Sequence, residues 1–116
     1  MSTVPNEVAR DLALVCTLTD DEKAARRDDM DPLFAHVERI EELADGYAVR
    51  FPGDETLLPR LAEFIRAERD CCQFFTFELV AAPGLGPIWL RLRGPDGVKT
   101  IVAGWSWVAP HLAAQV

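Results

Sequence analysis

Glu68, Cys71 and Cys72 lie in one short run, Glu68-Arg69-Asp70-Cys71-Cys72, where the chain concentrates its reactive side chains. Spacings of three and four residues put a carboxylate and two thiols on one surface of a helix. On a helical projection Leu57, Leu61, Phe64, Ile65 and Glu68 share one apolar stripe about 100° wide. Glu68 falls near the middle of it, with a cysteine on either side. An acid there is unexpected, because burying an unpaired carboxylate is costly.

Thiolates are soft ligands, and two side by side suit soft or borderline ions, copper(I) among them. A third thiolate, from Cys16, fits trivalent arsenic or divalent mercury. Adding Glu68 or a histidine makes four ligands, which fits zinc. The expected metal ligands are therefore Cys71, Cys72, Cys16 and Glu68. A Cys71–Cys72 disulfide is not expected, since adjacent Cα atoms sit about 3.8 Å apart and disulfides ordinarily need at least about 4.4 Å.

Two other readings compete. In the first, a cysteine thiolate works with Glu68 in thiol redox or organometal chemistry; Arg69 favours the thiolate, while Glu68 and Asp70 oppose it. In the second, the cysteines only fill space in a homodimeric structural module, and Glu68 pairs with an arginine such as Arg91 or Arg50. His36 and His111 stand alone and read as surface or core residues. Gly84-Leu85-Gly86 fits a turn, not a phosphate loop. Asp28-Asp29-Met30-Asp31 does not match a calcium loop.

These residues need elements to hold them. Leu12, Leu14, Cys16 and Leu18 alternate with Ala13, Val15 and Thr17, which predicts a strand with Cys16 facing the core. Thr19-Asp20-Asp21-Glu22 is a capping-box pattern that starts a helix, and Asp31-Pro32 restarts it. Asp45-Gly46 predicts a two-residue hairpin turn, followed by the alternation of Tyr47, Val49 and Phe51. Asp54 or Thr56 caps the helix that runs from Leu57 to Cys72. Phe75 to Val80 and Ile88 to Leu92 read as a second hairpin joined by Pro83-Gly84-Leu85-Gly86-Pro87, with Trp89 opposite Leu90. A last helix from about Val98 carries Ile101, Val102 and Trp105 and should end at Pro110; Trp107 is expected at an interface.

The order β-α-β-β-α-β-β-α implies an α+β fold. Its expected form is two layers, a mainly antiparallel sheet of four to five strands with helices on one face. An exposed face or edge invites dimerisation. One domain is expected over 1–116, with 1–8 and 110–116 loose.

Composition excludes some functions. The chain has 116 residues, nearly half of them hydrophobic, so a core can form without staples. A net charge of −7 and the lack of a basic patch argue against nucleic acid. A metal ion or a small thiol-reactive ligand suits this balance better than an anion. No apolar run of about 18 residues is present, so no membrane span is expected. The start, Met1-Ser2-Thr3-Val4-Pro5, lacks the pattern of a secretory signal, which gives a cytoplasmic expectation. An odd count of three cysteines in a reducing compartment reads as thiols.

The motifs Cys16-Thr17-Leu18-Thr19, Asp45-Gly46-Tyr47 with Arg50-Phe51-Pro52, Glu68-Arg69-Asp70-Cys71-Cys72 with Phe74, and Gly86-Pro87-Ile88-Trp89-Leu90 through Gly94-Pro95-Asp96-Gly97 resemble those of an uncharacterised family of small bacterial proteins. The resemblance covers roughly residues 12 to 103. It implies that the three cysteines belong to one pattern. Members usually carry proline after the cysteine pair, where this chain has Gln73, a change expected to loosen the end of the helix.

Overall fold

The computed structural model describes residues 31–114, together with Asp21. The expected strand around Leu12 to Leu18, including Cys16, and the helix start at Thr19 to Glu22 (Asp21 apart) lie outside the described residues. Residues 31–34 are helical, at the position where Asp31-Pro32 predicts a restart.

Strands β1 (Arg39–Leu43) and β2 (Gly46–Phe51) form the first hairpin. Leu43 pairs with Gly46, so the loop is Ala44-Asp45 and Gly46 is already in the strand. The turn therefore sits one residue earlier than Asp45-Gly46 predicts. Glycine is needed here for a different reason. A Cβ on Gly46 would stand 1.8 Å from the Leu92 carbonyl oxygen on the neighbouring strand.

Strands β3 (Thr76–Ala81) and β4 (Ile88–Arg93) form the second hairpin, and the sheet order is β1-β2-β4-β3 with every pair antiparallel. The register aligns Ile40, Val49, Leu90 and Leu79 in one row and Tyr47, Leu92 and Phe77 in the next. This face builds the core. The opposite face carries Arg39, Arg50, Trp89 and Val80 in one row and Glu41, Ala48, Arg91 and Glu78 in another. Trp89 thus lies opposite Leu90, as the alternation predicts.

Helix α1 (Leu57–Cys71) follows the first hairpin. Thr56 is its N-cap residue, and Asp54 organises the entry: its Oδ1 accepts the Thr56 backbone N–H at 2.9 Å and the Thr56 hydroxyl at 2.6 Å. These bonds, the hydroxyl one first, hold the Asp54 carboxyl below its ordinary range. Pro59 is tolerated because first-turn N–H groups have no acceptor within the helix. The buried residues of α1 are Leu57, Leu61, Phe64, Glu68 and Cys71, the stripe read from the sequence.

The C-terminal region holds two short helices where one was expected: α2 (Val98–Ala103) and α3 (Ala109–Ala114). Gly104 closes α2, its N–H reaching the carbonyls of Thr100 and Ile101. Pro110 stands in the first turn of α3, where a missing N–H costs nothing, so it helps start a helix instead of ending one. Leu112 packs against the core. Trp107 stacks on Phe34 with ring centroids 3.7 Å apart and planes 9° from parallel, so it serves the core of its own chain.

The aromatic side chains form a closed circuit. Phe34 meets Phe64, Phe64 meets Phe77, Phe77 meets Phe75, Phe75 meets Trp105, and Trp105 meets Trp107, which returns to Phe34. The circuit ties α1 to β3 and to the C-terminal segment. Among the described residues, no helix is long and apolar enough to cross a membrane.

Candidate metal centre

The site forms where α1 ends and the chain turns into β3. Leu57, Leu61 and Phe64 press α1 onto the sheet, and the same face carries Glu68 and Cys71 inward one turn later. Cys72 leaves the helix. Its backbone is no longer helical, with φ −125° and ψ 78°, yet its N–H still bonds the Glu68 carbonyl at 2.7 Å. A helical projection through Cys72 was therefore one residue too long. Its side chain is buried all the same, since Phe74 and Phe75 carry the chain straight into the core. Gln73 between them is exposed.

The three candidate ligands are together. Glu68 is 8 % exposed, Cys71 3 % and Cys72 6 %, and Glu68 is the one buried charged residue among those described. The Cys71 and Cys72 sulfurs are 3.4 Å apart, a thiol–sulfur hydrogen bond in which either can donate. One ligand atom from each of Glu68, Cys71 and Cys72 fits within a 4.8 Å span. Among the described residues, this is the group of three or more such side chains close enough to hold an ion. Cys16, the expected third sulfur, lies outside the described residues.

Among the described residues, several charged side chains have partners of their own. Asp70 is exposed and pairs with Arg66 at 3.3 Å, while Arg66 also holds Glu63 at 2.6 Å. Arg91 and Arg50, offered by the sequence as partners for Glu68, sit on the opposite sheet face. Arg91 pairs with Glu78 at 3.7 Å and Arg50 with Glu38 at 3.2 Å. Arg93 bridges Glu78 at 2.9 Å and Asp45 at 2.7 Å on that face, and these bonds hold its guanidinium above its ordinary range. His36 is exposed and His111 half-buried.

The sequence reading missed the aromatic setting of this site. Phe74 and Phe75, whose rings lie 4.6 Å apart, share one core cluster with both cysteines, and Phe75 also contacts Trp105 at 5.6 Å. The adjacent Phe74-Phe75 was the visible signal, but only the tail's return path brings Trp105 to it.

This arrangement can hold an ion through two sulfurs and an oxygen in an apolar surrounding, where water competes weakly for the ion. No family model matches the chain, and no curated protein or solved structure does either.

Proposed function

We propose that the protein binds a soft metal or metalloid ion, with Cys71 and Cys72 as the primary ligands. The observation that carries this reading is the buried convergence of Glu68, Cys71 and Cys72 within 4.8 Å. Cys16 is the third sulfur of the proposal, supported by the sequence alternation of Leu12, Leu14, Cys16 and Leu18 and by the resemblance, which implies that the three cysteines belong to one pattern. Glu68 is either a further ligand or the acid that orients and neutralises the site. The candidate ions are mercury, arsenic(III), zinc and copper(I).

The position of the thiols favours ligation over nucleophilic catalysis. Activated thiolates are commonly found at helix N-termini. Here the pair stands at the C-terminal end, where the helix carries partial negative charge. That end opposes a free thiolate but attracts a bound cation.

Titration of the reduced protein with each ion, followed by equilibrium dialysis and elemental analysis, tests the reading. One ion per chain in the natural sequence, lost in the double variant Cys71→Ser and Cys72→Ser, is the expected result. Equal stoichiometry and affinity in both proteins would refute it.

A further inference from the structure

We infer that the ligand of this site is a trivalent, three-coordinate metalloid, supplied as a neutral hydroxide of the arsenous or antimonous class. The inference rests on the metal-binding reading and narrows it by geometry. With metal–sulfur bonds of about 2.3 Å, sulfurs 3.4 Å apart subtend about 95° at the bound atom. A two-coordinate linear ion needs its sulfurs about 4.6 Å apart at that bond length. Cys71 and Cys72 are neighbours in sequence, one ending α1 and the other leading into the core, so moving them apart disturbs both. A tetrahedral ion at the same bond length sets its sulfurs about 3.8 Å apart. A trivalent atom with a lone pair needs only three bonds, at angles close to a right angle.

Burial points the same way. All three donors are less than a tenth exposed. A hydrated cation must shed its water to enter, at a large desolvation cost. A neutral trihydroxide carries no net charge into the core. Binding is then ligand exchange without redox. Two bonds from the metalloid to hydroxide oxygen break and two bonds to sulfur form. Each thiol proton departs with a hydroxide as water. The third bond stays with oxygen, so the bound species is neutral.

Intrinsic thiol affinity differs greatly between ions, so the test must cancel it. The reduced full-length protein competes with dithiothreitol, a flexible dithiol, for arsenite and separately for mercury(II). X-ray absorption at the arsenic edge then counts the sulfurs. The expected result is a protein-to-dithiothreitol partition favouring arsenite over mercury by about tenfold or more, the factor that ~1.4 kcal/mol of coordination strain produces. At least two sulfurs should surround arsenic. Mercury partitioning as well as arsenite, or a single sulfur on arsenic, would overturn the metalloid inference while leaving soft-metal binding intact. Failure of both ions to compete, with no change in Cys71→Ser or Cys72→Ser, would overturn both.

Discussion

Replacing Gly46 tests the sheet on which the candidate centre is built. A Cβ at this position lies 1.8 Å from the Leu92 carbonyl oxygen, 2.8 Å from its carbonyl carbon and 3.0 Å from the Arg93 Cα. All are backbone atoms, so no side chain can swing away. Reaching even 3.0 Å from that oxygen requires a local separation of at least about 1.2 Å between β2 and β4, enough to break the two ladder hydrogen bonds of the Tyr47–Leu92 pair. Two bonds at about 1 kcal/mol each, with overpacking of about 1–3 kcal/mol, give a loss of about 3–5 kcal/mol for Gly46→Ala. In urea, at a slope of about 1.5–2 kcal/mol per molar, the unfolding midpoint falls by about 2 M. Gly46→Asn supplies the discriminating arm. If glycine served a left-handed turn, as the Asp45-Gly46 pattern suggests, asparagine would be well tolerated. Because close strand approach is the reason, asparagine should cost at least as much as alanine. A Gly46→Asn midpoint within about 0.3 M of the natural protein would refute this account of the β2–β4 contact.

Three further outcomes follow from the structure. Trp107→Ala should lower stability by about 2–3 kcal/mol, below the range for a fully buried tryptophan because Trp107 is half-buried; urea unfolding measures it, and a change under about 0.5 kcal/mol would mean that the stack on Phe34 does not form. Asp54 should titrate below the ordinary aspartate range, and Thr56→Val should return it toward that range, as followed by NMR of its side-chain carbon. Since its folded value is depressed, its contribution to stability is present above the unfolded aspartate pKa and fades as pH falls through the folded one; an unshifted Asp54 would contradict the bonds to Thr56. Arsenite at a hundred times its dissociation constant should stabilise the reduced protein by about 2.7 kcal/mol, and calorimetry should find no such gain in the double cysteine-to-serine variant.

Much of this fold was legible because its signals are local. The period-2 alternation of Tyr47, Val49 and Phe51 and of Ile88, Leu90 and Leu92 marks strands that bury one face. The apolar stripe of α1 follows from helical spacing, which also places Glu68 and Cys71 inward. Where the reading slipped, the cause was nonlocal. Gly46 carries a turn signature, but its neighbour across the sheet decides why it is glycine. Pro110 looks like a stop until Gly104 has closed the preceding helix and a new one begins. Trp107 alone suggests an interface, and only the return of the tail sets it on Phe34.

For the centre itself, residue spacing determined that an acid and a thiol share one inward helical surface, because 3.6 residues per turn leaves little freedom within a helix. Spacing could not determine where the helix stops. Tertiary structure ended it at Cys71, drew Cys72 into the core ahead of Phe74, and set the sulfurs 3.4 Å apart. Side-chain separation across a helix terminus depends on the backbone angles of the exit residue, and packing against the core selects those angles.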